Sequence, residues 1–162
     1  MADYFLKIDG IAGESQDPQH KGEIELESFS WGETHLALTP GATGIVKVNI
    51  QDFHVVKQID KASPLLMLAT ASGQHFDSAV LTAQRPGKEP QEYLTIKLSD
   101  LMVSSYQIEA AAGQPSPADQ VSFSFGRIEI AYRPQRPDGS LDVPVNAGWD
   151  ATADREISPS AP

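Results

Sequence analysis

Four histidines and one row of acids are the side chains of this 162-residue chain whose chemistry asks to be read first. His20, His35, His54 and His75 stand far apart, and no pair has the H-x-H or H-E-x-x-H spacing that brings two imidazoles to one metal ion. No metal and no cofactor is expected. Glu23, Glu25 and Glu27 alternate with Ile24 and Leu26, so on an extended strand the three carboxyls share a face at intervals of about 6.5 to 7 Å. That separation lies in the range of an inverting glycosidase pair, and jelly-roll glycosidases use such faces. The same alternation is also the wet side of any half-buried antiparallel strand, where acids discourage edge-to-edge pairing. A solvated face is the simpler reading, and a monomeric β-barrel or jelly-roll module that binds or hydrolyses glycans is the alternative. The signatures GxGxxG, GxxxxGK[ST] and GxSxG are absent, and nothing compels an enzyme.

The elements that would carry these residues belong to an ordinary globular chain, 40% apolar and 21% charged, long enough for one core. No stretch approaches the roughly 18 apolar residues of a membrane span, and MADYFLKIDG has neither a basic leader nor an apolar signal core. Synthesis in the cytoplasm is expected, with any exit by a route other than general secretion. There is no cysteine, which removes disulfides, thiolate metal sites and Cys nucleophiles. The net charge is -10 with no Lys/Arg cluster, which argues against nucleic acid and against an anionic membrane as partners.

The alternation that marks strands slips in mid-strand four times. In EIELESFSW, Ile24 and Leu26 hold one parity while Phe29 and Trp31 take that of the glutamates. Val46, Val48 and Ile50 give way to Phe53 and Val55; Leu94, Ile96 and Leu98 to Leu101 and Val103; Val121, Phe123 and Phe125, across Gly126, to Ile128, Ile130 and Tyr132. A bulge that inserts one residue bends a strand and returns its apolar set to the core, which is how strands turn corners in small barrels and orthogonally packed sheets. The expectation is a mainly β fold: a bent-strand β-barrel of two packed antiparallel sheets. Two short strands with a break at each site are the alternative.

One segment interrupts the strands. In SPLLMLATASG, residues 63–73, Ser63 reads as N-cap, Pro64 as the first helical position and Gly73 as the stop. Leu65, Leu66, Met67, Leu68 and Ala69 surround the axis without forming one stripe, so more than one side asks for cover. Either a neighbouring subunit supplies it or the helix keeps a greasy exposed edge. Residues 32–44, GETHLALTPGATG, read as an extended arm in which Leu36 and Leu38 alternate as in a short ribbon. From Arg133 onward prolines and the turn PDG leave little regular structure, with Trp149 in AGWD as a late anchor. The barrel domain thus spans 1–150, and 151–162 reads as a frayed tail.

Laid end to end, FLKIDGIAGESQDPQH, EIELESFSWG, VNIQDFHVVKQIDKASPLLMLATASGQHF, YLTIKLSDLMVSSYQ and VSFSFGRIEIAYRPQRPDGS with AGWD resemble the haemolysin-coregulated protein family, the tube proteins of bacterial type VI secretion systems. The likeness runs in order from Phe5 to Asp150. It is carried by Gly13, Glu14 and Ser15 in GES, by Ser30, Trp31 and Gly32 in SWG, by Gln51 and Asp52, and by Asp60, Lys61, Ser63 and Pro64 in the K-x-x-D-K-x-S-P run.

The resemblance implies function without catalysis: a barrel with one flanking helix that forms homohexameric rings, stacked head to tail into a hollow tube inside a contractile sheath. Implied partners are further copies of the chain, a spike protein of the valine-glycine repeat family, sheath and baseplate proteins, and small effectors in the lumen. Export with the tube, into the medium or a target cell, needs no signal peptide. The arm then corresponds to the loop that reaches the next ring, with Glu33, Thr34, His35, Leu36, Ala37, Leu38 and Thr39 as its contact residues. Leu65, Leu66, Met67 and Leu68 become the subunit-interface face of the helix.

Overall fold

The computed structural model describes residues 3–35 and 48–159. In chain order the strands are β1 (Asp3–Ile8), β2 (Ile24–Leu26), β3 (Ser28–Ser30), β4 (Glu33–His35), β5 (Val48–Ile50) and β6 (Phe53–Gln58). Helix α1 (Ser63–Ser72) follows, then β7 (His75–Arg85), β8 (Gln91–Glu109), β9 (Ala118–Tyr132), β10 (Val145–Asp150) and β11 (Arg155–Ile157). All pairings between these strands are antiparallel. The order is β11-β10-β9-β8-β7-β1-β2, with β6 on β9 and β3 on β6, while β4 and β5 form a separate ribbon. β2 and β3 are joined by Glu27 alone, whose N–H bonds the Val56 carbonyl at 2.8 Å. The sheet therefore returns to its start through one residue, and the expected mainly β, bent-strand barrel with one flanking helix is what forms.

The four parity slips resolve in two ways. Residues 23–31 and 48–55 do not bend but break: β2 ends on β1 and β3 begins on β6, and β5 ends on the arm ribbon before β6 begins on β9. β8 and β9 run unbroken through their slips, and β7 makes the same slip beside them. Phe76, Leu101 and Phe125 line up on one side and Ser78, Ser99 and Arg127 on the other, with Asp77, Asp100 and Gly126 on the rung between. The register is the same before and after this rung. No strand has gained a residue on its neighbour; all three turn over together, creasing the sheet. Asp100 makes the turn in the left-handed region, φ 53°. Across from it a side chain on Gly126 would crowd Asp100 Cβ at 3.3 Å and Thr152 Oγ1 at 3.2 Å. Register shifts proper occur elsewhere, between Val103 and Ser105 and between Ala83 and Gln84.

The crease keeps both halves of each strand facing one core. Phe53, Val55, Leu81, Leu101, Val103, Val121 and Phe123 are each buried there. Helix α1 inserts Leu66 and Ala69 into the same cluster. Burying a leucine side chain contributes roughly 1.5 to 3 kcal/mol, enough to dock a ten-residue helix that is marginal alone. Gly73 ends it in the left-handed conformation, φ 66°, as its sequence position foretells. The start differs: Ala62 is the N-cap and no side chain caps the helix, because the Ser63 hydroxyl is turned inward. The C-terminal segment carries more regular structure than its prolines suggest: β10 pairs with β9, and β11, inside the 151–162 stretch read as a tail, pairs with β10, while Trp149 packs against the core cluster as the expected late anchor.

Candidate functional site

Beneath the start of α1 lies a buried polar joint. Lys57 and Asp119 are opposed residues on β6 and β9 and both are fully buried. Lys57 Nζ lies 3.2 Å from Asp119 Oδ2 and 2.7 Å from Asp60 Oδ1, and donates to Ser63 Oγ at 2.9 Å. Ser63 Oγ donates to Asp119 Oδ2 at 2.6 Å, and Tyr106 Oη donates to the same oxygen at 2.9 Å. Burial, then the bond to the Asp119 carboxylate, push the Tyr106 phenol up to about 12. Asp60 Oδ1 also accepts the Ala62 N–H at 2.9 Å, and Ser63 Oγ accepts that of Asp60 at 3.0 Å. One ammonium, two carboxylates and two hydroxyls thus tie the last turn before the helix to three strands, β6, β8 and β9.

The other motif residues sit at similar crossings. Gly13 lies so close to β2 that a Cβ would meet the Glu23 carbonyl at 2.4 Å and Ile24 Cα at 2.6 Å, so only glycine passes. Glu14 Oε2 accepts the Lys61 N–H at 2.9 Å, and Ser15, buried, bonds the Glu23 carbonyl through its N–H at 3.0 Å. Trp31 Nε1 donates to the Gln51 carbonyl at 2.8 Å, and the Gln51 N–H donates back to that of Gly32 at 3.1 Å, closing the base of the arm. Asp52 Oδ2 accepts from Ser104 Oγ at 2.7 Å beside the register shift in β8. Ser30 pairs with His54 in the β3–β6 ladder, and Pro64 stands in the first turn of α1.

The candidate catalytic groups do not converge. Glu23 leaves the acidic row to bond His20 Nδ1, so the three carboxyls do not form one face. His20 is buried, stacked on Phe5 at 4.4 Å, with its Nε2 2.8 Å from Glu92 Oε1 but off the hydrogen-bonding direction, an electrostatic contact only. His54 Nδ1 pairs with Ser122 Oγ at 2.5 Å, while His35 and His75 are exposed on β4 and β7. Among the described residues no three His, Cys, Asp or Glu side chains gather as for a metal ion.

Two surfaces remain open. On α1 the interface residues named from sequence divide: Leu66 is a core residue at 1% exposure, which corrects its assignment, whereas Leu65, Met67 and Leu68 are 44%, 51% and 56% exposed. Of the arm, Glu33, Thr34 and His35 form β4, all exposed and paired to β5; Leu36, Ala37, Leu38 and Thr39 lie outside the described residues. Asp119 and Tyr106 escaped the sequence reading, although a signal for the first was there. Asp119 shares parity with Val121 and Phe123, as Lys57 does with Phe53 and Val55, so each is a charge in phase with a core face.

These features define a class: a bent-strand barrel whose distinctive residues hold its joints together instead of meeting at a reaction centre, and which leaves apolar side chains uncovered. The sequence profile of the family described as type VI secretion system effector, Hcp, matches residues 5–132. The chain is 39% identical over 152 residues to Protein hcp1 of Pseudomonas aeruginosa, across 91% of this chain and 94% of that protein. It is similar in structure to Hcp1 from Salmonella typhimurium, with a TM-score of 0.80 and 34% identity over 96% of this chain and 99% of that one. A type VI secretion system effector from Yersinia pestis gives a TM-score of 0.75 and 30% identity over 91% and 99%. The chain belongs to the Hcp family of the type VI secretion system. That family is one of secreted structural proteins, and no helix among the described residues is long and apolar enough to cross a membrane.

Proposed function

We propose that this chain is a tube subunit: six copies close into a ring, rings stack into a hollow tube, and sheath contraction expels the tube with its valine-glycine repeat spike. Small effectors travel in its lumen, and the protein leaves the cytoplasm as part of the expelled tube. The observation that carries the reading is the uncovered half of α1. A helix whose one side supplies Leu66 and Ala69 to the core and whose other side presents Leu65, Met67 and Leu68 to solvent is half of an interface. Membership of the Hcp family supports the type VI secretion system as the system this interface serves. A barrel joined through Glu27 leaves few free strand edges, so side-chain surfaces and the arm must make the contacts, and a head-to-tail contact that closes by rotation gives a ring. The arm based on β4 and β5 reaches the adjacent ring. Light scattering of the purified chain, with negative-stain images of the same fractions, tests this. A mass near six chains with ring-shaped particles is expected, and a single chain at every concentration would overturn it.

A further inference from the structure

A head-to-tail contact needs two different surfaces on one chain, and among the described residues the large uncovered apolar side chains form two groups. Ile59, Leu65, Met67, Leu68 and Ile108 gather at one end. The Ile59 N–H bonds the Pro117 carbonyl and Ile108 pairs with Asp119, so both adjoin one turn of chain, and α1 starts four residues beyond Ile59. Tyr132, Val143 and Val145 make the second group, at the β9–β10 connection, where Tyr132 pairs with Val145. Tyr132 is also opposite Leu94 on β8, whereas Ile108 lies near the far end of that strand. At about 3.3 Å per residue, less the crease, the two groups are on the order of 40 Å apart along β8.

Their charged surroundings differ. Ile108 is followed by Glu109, and Glu14 stands exposed at the turn into α1 beside Lys61, whose N–H it accepts, while Asp60 is turned inward onto Lys57. Tyr132 is followed by Arg133, and Arg136 is close by; Arg136 engages the Asp142 carboxylate at 3.2 Å and Arg133 Nε the Asp142 carbonyl at 3.1 Å. The Asp142 carboxylate is therefore paired with Arg136, the exposed Asp138 is held by Ser140, and the Arg133 and Arg136 guanidinium groups lie at the rim of this group. In a chain of net charge -10 a surface rimmed by Arg133 and Arg136 suits the end of another copy that carries Glu14 and Glu109. Tyrosine and arginine around aliphatic side chains are also the residues that concentrate binding energy at interfaces.

We propose that these groups are the two halves of one contact between copies of this chain, in which the Tyr132, Val143 and Val145 end of one protomer covers the α1 face of the next. The proposal rests on the ring reading above and names its missing half. Two variants test it: Leu65→Asp with Leu68→Asp, and Val143→Asp with Val145→Asp. Each alone is expected to fall from ring mass to single chains, because every contact then lacks one half. An equimolar mixture is expected to give particles of two chains and nothing larger, since one intact half remains on each. Dimers of either variant alone would mean that like groups face like, and would overturn the pairing. A wild-type ring that survives Val143→Asp with Val145→Asp overturns the pairing and leaves the ring; a wild-type chain that never assembles overturns both. Should either variant fail to fold, a cysteine pair decides, because the chain has no cysteine of its own. Leu68→Cys with Val145→Cys in one chain should oxidise to a covalent ladder up to six chains, while either cysteine alone gives no ladder. An intact ring of the double-cysteine chain without a ladder overturns the contact.

Discussion

Lys57 is one ammonium buried between two carboxylates, Asp60 and Asp119, and that ratio decides what a substitution costs. Removing the cation strands both acids in low dielectric, so Lys57→Met should cost about 3 to 5 kcal/mol by urea unfolding. Adding Asp119→Leu should recover part of the loss, because a buried pair replaced by apolar groups of similar size is often nearly neutral. A loss below about 1 kcal/mol for Lys57→Met would show that the trio is not holding the helix start. Tyr106 gives the joint a pH signature. Its phenol titrates at about 12 in the folded protein against 10.0 unfolded, so between these values the native state holds more protons. Burial of the phenol, and then its bond to Asp119, give a stability that is complete below pH 10 and is lost as pH rises toward 12. Tyr106→Phe should cost about 1 to 3 kcal/mol at neutral pH and flatten the decline in unfolding free energy over that alkaline window. An unchanged alkaline slope in Tyr106→Phe would locate the titration elsewhere.

At the scale of elements, the crease across β7, β8 and β9 bends the sheet without changing its register, and Asp100 is its strained point. The left-handed conformation costs L-residues about 1 to 2 kcal/mol, aspartate less than most and β-branched residues more. Asp100→Val should therefore lower the thermal midpoint clearly, and Asp100→Gly should hold it or raise it slightly. The ion pair that both lose, Arg127 Nη2 to Asp100 Oδ2 at 2.9 Å, is solvent-exposed and worth little. Equal losses for valine and glycine would shift the weight from backbone conformation to that pair. The remaining joints follow the same logic. Gly13 lets the 9–23 segment pass against β2, and His20, set between Glu23 and Glu92, pins its far side.

At the scale of the whole molecule, -10 on every subunit sets the conditions of assembly. Repulsion between stacked rings is strongest in dilute buffer and is screened within about 10 Å at 0.1 M salt. Isolated rings are expected at low ionic strength and longer stacks as salt rises, read by sedimentation and negative stain; long tubes that dissolve on adding salt would contradict this. The arm separates the two kinds of contact. Leu36→Asp with Leu38→Asp should leave ring mass unchanged and abolish stacking, because two buried carboxylates at its tip would be uncompensated. Collapse of that variant to single chains would place the arm in the ring interface.

The amino-acid sequence by itself determined the β class, the face changes of its strands, the helix and its Gly73 stop, and, through GES, SWG and the K-x-x-D-K-x-S-P run, the family. These are legible because period-2 alternation, a left-handed stop and fixed local spacings are properties of neighbouring residues. Tertiary structure decided the rest. It turned Ser63 from a cap into a partner of Asp119, sent Leu66 inward while leaving Leu65 and Leu68 outside, aligned Asp77, Asp100 and Gly126 on one rung, and folded 155–157 onto β10. Each of those outcomes depends on residues far apart in the chain, as Lys57 and Asp119 are, and is settled only when strand pairing removes both from water and leaves each as the other's partner.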